Sequence, residues 1–314
     1  MPGFLRRPRG FGMMPSICIE MIYPELCFED RIRAVAQHGF QHIEFWSWKD
    51  KDPESFSRVL RETGVRVSNF SGQRKGDLIR EDQHPLVEED LRDALRYQRY
   101  YASPTLMVLA QELGEGGRVV RPVEGEAGEK EIKTLVKGIK RLLKVIEKEG
   151  PKSTTLVFEP LNTRLDHPGY AVHSLETAER IYAEVDHPNF GILLDLYHQG
   201  MSGDDLYRVI RRYAPIVKYV HAADVPGRTE PTGDGGASEV GTVGSGIRLS
   251  PVTGVSPKGE KRSPEESSGK IDWVKVLRTL AEVGYRGFVG FEFKPKGSSD
   301  EALQRIADLW RRAV

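Results

Sequence analysis

Short apolar runs that read as strands alternate with helical segments eight times along the chain, and this alternation restricts the fold more than any other feature of the sequence. The strand-like runs are Ser16–Met21, His42–Phe45, Val65–Phe70, Thr105–Leu109, Thr155–Phe158, Gly191–Leu194, Ile216–Val220 and Phe288–Phe293. Helices are expected at Phe28–His38, Pro53–Glu62, Leu86–Ala102, Glu129–Glu149, Ser174–Val185, Asp204–Tyr213, Trp273–Val283 and Asp300–Arg312. The longest of these carries Ile132, Leu135, Val136, Ile139, Leu142, Leu143 and Ile146 as one stripe at the helical period. Gly39, Gly64, Gly150 and Gly284 stand where a helix hands over to a strand. Gly39-Phe40 before Glu44 and Gly284-Tyr285 before Glu292 look like one αβ unit used twice.

Repeated β-then-α units require crossover connections, and crossovers make neighbouring strands parallel. Eight such units fit an α/β fold of the closed (β/α)8 TIM-barrel kind best. An open doubly wound sheet is the alternative, but no G-x-G-x-x-G loop follows the first strand. Barrels of this type run to about 250 residues, and this chain has 314. The excess falls in Gly233–Gly269, rich in Gly, Ser, Pro and Thr with charges near its end, so a single domain over 16–314 with a flexible insertion after strand 7 is expected. Met1 to Pro15 has Arg6, Arg7 and Arg9 but no apolar h-region, so it is read as a disordered tail rather than a signal peptide, with Met13 or Met14 as alternative starts.

Composition narrows the partners. With 46 basic and 46 acidic side chains the chain lacks the basic footprint of a nucleic-acid binder. No run approaches the roughly 20 apolar residues of a membrane span. Cys18 and Cys27 match neither a disulfide framework nor a common metal spacing, and buried free thiols in a reducing compartment are expected. The picture is a soluble cytoplasmic protein acting on a small molecule, with a homo-oligomer left open.

Barrel active sites lie at the C-terminal ends of the strands. Four consecutive strands end on a residue able to bind a metal: Glu159 after Leu156-Val157-Phe158, Asp195 after Ile192-Leu193-Leu194, His221 after Lys218-Tyr219-Val220, and Glu292 after Val289-Gly290-Phe291. Strand alternation places Val157 with Glu159, Leu193 with Asp195 and Gly290 with Glu292, so inward-pointing faces bring three carboxylates and one imidazole together. Anions that close repel unless a cation lies between them. Oxygen-rich ligation with one imidazole suits one divalent ion, Mn2+ or Mg2+, with Co2+ open; zinc favours more His or Cys ligands. Around this set, His198 is a candidate for a substrate oxygen, Arg228 for a substrate carboxylate, and Lys294 for developing negative charge. Glu44 and Trp46, after the second strand, are candidates for shaping the pocket.

Phe158-Glu159-Pro160-Leu161-Asn162-Thr163-Arg164, with Asp166-His167-Pro168-Gly169-Tyr170 following, resembles the hydroxypyruvate isomerase group of the xylose-isomerase-like sugar isomerase/epimerase superfamily. Leu194-Asp195-Leu196-Tyr197-His198, Ala223-Asp224-Val225-Pro226-Gly227-Arg228, Gly290-Phe291-Glu292-Phe293-Lys294-Pro295 and Gly39-Phe40 to Glu44-Phe45-Trp46 are similar too. The resemblance implies that Glu159, Asp195, His221 and Glu292 hold one divalent metal and that Glu159 and Glu292 are the acid–base pair. His221 leans toward the ketose 3-epimerases of that superfamily. A metal polarising a carbonyl and the adjacent hydroxyl makes the intervening C–H acidic, so an enediolate forms and a carboxylate moves the proton. The leading expectation is an isomerase of this kind acting on a small hydroxy-keto substrate. A ketose 3-epimerase, or a lyase or dehydratase acting on a keto-inositol or oxidised glycoside, remains the alternative. A phosphodiesterase of the endonuclease IV type would need more His ligands and a basic groove.

Overall fold

The computed structural model describes residues 12–232 and 271–314. The expected insertion, and all but the last four residues of the expected tail, lie outside the described residues. Eight parallel strands close into a barrel in chain order: β1 (Met14–Cys18), β2 (His42–Phe45), β3 (Arg66–Ser71), β4 (Thr105–Val108), β5 (Thr155–Phe158), β6 (Phe190–Asp195), β7 (Val217–Ala222) and β8 (Phe288–Phe291). β1 closes the ring against β8, with Met14 opposite Phe288 and Ile17 opposite Phe291. The alternation therefore has the architecture expected of it.

Helices α1 (Phe28–Gln37), α2 (Pro53–Thr63), α3 (His84–Tyr101), α4 (Glu129–Glu149) and α5 (Leu175–Val185) follow the first five strands. α6 (Leu196–Ser202), α7 (Leu206–Tyr213), α8 (Trp273–Glu282) and α9 (Ser299–Ala313) complete the set among the described residues. Their starts obey capping chemistry. Asp52, Ser174, Asp205, Asp272 and Ser298 each accept a hydrogen bond from a backbone N–H of the first turn. α6 is the element absent from the sequence reading. Asp195 is both the last residue of β6 and the N-cap of α6, so strand passes to helix with no loop between.

The first strand also differs from expectation, running Met14–Cys18 rather than Ser16–Met21. Its limits are set by its partner: Met14 N–H already donates to Gly287 O at 3.1 Å. The two thiols diverge as well. Cys18 is buried, but Cys27 is exposed because it is the N-cap residue of α1 at the surface. No described helix is long and apolar enough to cross a membrane.

Two apolar layers result. The larger lies between strands and helices and includes the α4 stripe anticipated from its periodicity. The smaller lies inside the barrel, where Met107, Val157, Leu193 and Tyr219 cluster with Phe288 against them. Tyr219 Oη and Ser68 Oγ share a hydrogen bond of 2.7 Å, and Ser68 Oγ another of 2.7 Å with Ser16 Oγ, so the buried hydroxyls are satisfied. This layer is the floor of the site. By strand alternation, Glu159, Asp195 and His221 come one step above Val157, Leu193 and Tyr219.

Candidate metal centre

The four strand-end residues come together. Glu159, Asp195, His221 and Glu292 are all buried, and His221 Nδ1 lies 3.2 Å from Glu159 Oε1, 3.5 Å from Glu292 Oε2 and 4.0 Å from Asp195 Oδ2. Ligand atoms of Asp195, His221 and Glu292 lie within 4.8 Å of one another, and so do those of Glu159, Asp195 and His198. The inward parity read from the strands is therefore correct, and His198 joins the cluster.

Glu44 belongs here too. It was placed at the pocket as a shaping residue, but its Oε2 lies 3.1 Å from His221 Nε2, on the far side of the ring from the other carboxylates. Gly290 makes this possible: a Cβ there would sit 2.3 Å from Glu44 Oε1. A metal-binding histidine commonly gives its second N–H to a carboxylate, which fixes ring and tautomer. With Glu44 taking the Nε2 proton, Nδ1 is the nitrogen left facing Glu159, Asp195 and Glu292.

Trp46, a candidate for shaping the pocket, also holds an acid of the cluster: its Nε1–H donates to Glu292 Oε1 at 2.5 Å. Behind it, Glu20 Oε1 accepts from the Trp46 backbone N–H at 3.0 Å and from the buried Lys51 ammonium at 2.9 Å. Arg228 hydrogen-bonds Glu292 through its NH2 group, which lies 4.0 Å from Asp195 Oδ2. Its guanidinium lies over the Tyr197 ring at 5.1 Å. Arg228 has φ +50°, and its carbonyl accepts from Lys294 N–H at 2.8 Å, which ties its loop to the chain beyond β8. The Lys294 side chain is exposed, so the described contact to the site's surroundings is through its backbone.

Asn162, Asp166 and Tyr197 went unassigned in the sequence although they lie within the quoted motifs. Asn162 donates to His198 Nδ1 and to Asp166 Oδ2, and Tyr197 Oη donates to Asp166 Oδ1. The signal available was position: Asn162 stands three residues after Glu159, just beyond the end of β5. Glu20 and Lys51 offered no comparable signal.

Burial pushes Glu159 up to about 7 against the pull of the His221 hydrogen bond, with Asp195 and Glu292 adding to the rise. Burial would raise Glu292 also, but Arg228 and His221 bring it down to about 2. Asp195 is raised, chiefly by burial. Burial acts to lower His221, yet Glu44 and Glu292 hold it well above the ordinary imidazole value. His198, buried and near Arg228, is held well below it.

A divalent cation fits this donor set. Four buried carboxylates face one guanidinium and, at most, one protonated imidazole, so negative charge is in excess in a largely desolvated pocket. Glu44 Oε1 and Arg228 Nε are buried with no hydrogen-bond partner. Oxygen donors with one imidazole match hard or borderline ions rather than zinc.

A (β/α)8 barrel carrying its acids at the C-terminal strand ends defines a class, and the sequence comparisons place the chain within it. The profile of the xylose isomerase-like TIM barrel family matches residues 32–313, and the chain belongs to that family. A Homo sapiens protein named "Putative hydroxypyruvate isomerase" is 26% identical, covering 95% of each chain. The 2-oxo-tetronate isomerase of Pectobacterium atrosepticum is 21% identical over 91% of this chain and 93% of its own. Among solved structures, a family 2 AP endonuclease from Brucella melitensis is 25% identical with a TM-score of 0.70, covering 94% of this chain and 98% of its own. Kinship to isomerases along the whole barrel marks the chain as an isomerase.

Proposed function

We propose that the chain is a divalent-metal-dependent isomerase that interconverts a 2-hydroxyketone and a 2-hydroxyaldehyde of a small carboxylated substrate, hydroxypyruvate and tartronate semialdehyde being the pair to test first. One observation carries the reading: the acids of three strand ends converge on His221 Nδ1 within 4.0 Å, inside a buried and over-anionic pocket. The names of the relatives support the substrate class, since hydroxypyruvate and 2-oxo-tetronate are both 2-oxo acids.

Glu159, Asp195, His221 and Glu292 would hold one ion, Mn2+ or Mg2+ on donor chemistry, with Co2+ also compatible. When bound it supplies polarisation of the substrate carbonyl and of the hydroxyl beside it. The residues do the rest. Glu159 and Glu292 are the proton-transfer pair, one removing the proton from the hydroxyl-bearing carbon beside the carbonyl and the other serving its delivery to the neighbouring, former carbonyl carbon, as the hydroxyl proton passes to the former carbonyl oxygen. They sit in unlike fields, Glu159 raised by burial and Glu292 lowered by Arg228, which suits the two to opposite duties. Arg228 offers the substrate carboxylate a planar guanidinium, steadied on Tyr197. Trp46 keeps Glu292 aimed.

Incubation with hydroxypyruvate in D2O, followed by NMR with Mn2+ or Mg2+ supplied, tests the proposal. Deuterium should enter the hydroxymethyl carbon and tartronate semialdehyde should form. Glu159→Gln should slow exchange roughly 100- to 10,000-fold, the usual contribution of general acid–base catalysis. Exchange at C3 of an uncharged ketose, with none on hydroxypyruvate, would replace the isomerase with a 3-epimerase; loss of carbonyl with a new alkene or a released aglycone would make it a lyase. The Brucella relative's activity does not travel with the fold: four carboxylates and few imidazoles are a poor zinc cluster.

A further inference from the structure

The centre holds two overlapping donor groups that share Asp195, one completed by His221 and one by His198. We infer that Asn162 decides between them: it fixes His198 as an Nε2–H hydrogen-bond donor, so that this ring serves the substrate and not the metal. The inference deepens the proposed function and rests on it for the role of the substrate.

The two ends of the Asn162 amide can be told apart by their partners. Its Oδ1 accepts from the backbone N–H of Leu165 at 3.2 Å and of Asp166 at 3.4 Å, closing a turn. Its Nδ2 therefore donates, to Asp166 Oδ2 at 2.7 Å and to His198 Nδ1 at 2.6 Å. The Asn162 backbone N–H points at the same ring nitrogen from 3.3 Å. Two N–H groups directed at Nδ1 require a lone pair there, and a neutral imidazole with its lone pair on Nδ1 carries its proton on Nε2. Nε2 in turn faces Asp195 Oδ2 at 3.4 Å. Metal-binding histidines show the opposite pattern, donating through the nitrogen that points away from the ion. His221 follows that pattern toward Glu44, and His198 reverses it. The two imidazoles thus have complementary duties imposed by what stands behind them: a carboxylate behind His221, an amide behind His198. Asn162 touches neither the ligand cluster of His221 nor the reacting atoms, so it is a positioning residue.

The role separates from the turn that Asn162 also builds, because aspartate can accept the same two backbone N–H groups. The test is Asn162→Asp combined with Asp166→Asn. This exchange keeps the net charge and allows the 162–166 hydrogen bond with its direction reversed; it changes the sign of the contact to His198 alone. Two-bond 15N–1H NMR of the full chain, without metal or substrate, reads the His198 tautomer, with His198→Gln assigning the signal. Wild type should show Nε2–H and the exchanged pair Nδ1–H. In the loaded enzyme the exchanged pair should lose about 10- to 100-fold in kcat, the scale typical of such outer partners, with KM changed less. A wild-type ring found as Nδ1–H, or a tautomer unmoved by the exchange, overturns the inference, whatever the substrate proves to be. Because the tautomer is read without metal or turnover, failure of the proposed isomerase chemistry would leave that reading intact.

Discussion

Glu44 can lie over β8 only because Gly290 has no side chain, and that vacancy is a testable part of the centre. A Cβ at Gly290 would stand 2.3 Å from Glu44 Oε1, which is the far end of a movable side chain. Gly290→Ala should therefore leave the barrel folded but push Glu44 off His221 Nε2, releasing the ring. Titration with Mn2+ should show affinity about 10- to 100-fold weaker, as expected for loss of a carboxylate behind a metal-binding histidine; unchanged affinity would refute this role for Glu44. The same residue shows where sequence reading stops. Glu159, Asp195, His221 and Glu292 were legible because each closes an apolar strand and two-residue alternation fixes which way it points. Glu44 was recognised only as a pocket residue, since its contact depends on an absence in a strand nearly 250 positions away. Lys294 shares parity with Glu292, yet β8 ends at Phe291 and the side chain beyond it is exposed.

Among the elements, α6 went unread for a physical reason. Helices are found by a period of polar and apolar residues, and in α6 every residue from Leu196 to Met201 is buried, so it has no polar face to generate one. α4, with a solvated face along its whole length, was read to its exact ends. Burial all round also explains Gly200. A Cβ there would lie 2.7 Å from Val225 Cγ2, in the loop that continues through Pro226 and Gly227 to Arg228. Gly200→Ala gains about 1 kcal/mol of helix propensity but overpacks a tight contact, at a cost of about 1–3 kcal/mol. The balance favours a net loss of roughly 1 kcal/mol, with the Arg228 loop displaced. Thermal unfolding should register the loss, and KM for a carboxylated substrate should rise while metal affinity holds. A variant as stable as wild type with unchanged KM would show that α6 does not brace this loop.

At the scale of the whole molecule, the barrel spends folding energy to hold four buried carboxylates against two possible cations, and a bound divalent ion should return part of it. A ligand that binds only the folded chain stabilises it by about 2.7 kcal/mol when present at 100 times its dissociation constant. For domains somewhat smaller than this, each kcal/mol moves the midpoint by roughly 2–4 °C, so saturating Mn2+ or Mg2+ should raise Tm by about 5–10 °C and a chelator should reverse the shift. The effect must belong to the centre and not to surface acids. Glu292→Ala removes a ligand and also leaves the Arg228 guanidinium and the Trp46 Nε1–H without their partner, so this variant should start below the metal-free wild type and gain little from the ion. A general gain of the same size in Glu292→Ala would place the ion elsewhere. Equal Tm for wild type with and without metal would mean that His221 and Arg228 alone neutralise the pocket, and the barrel would then have to polarise its substrate with fixed charges.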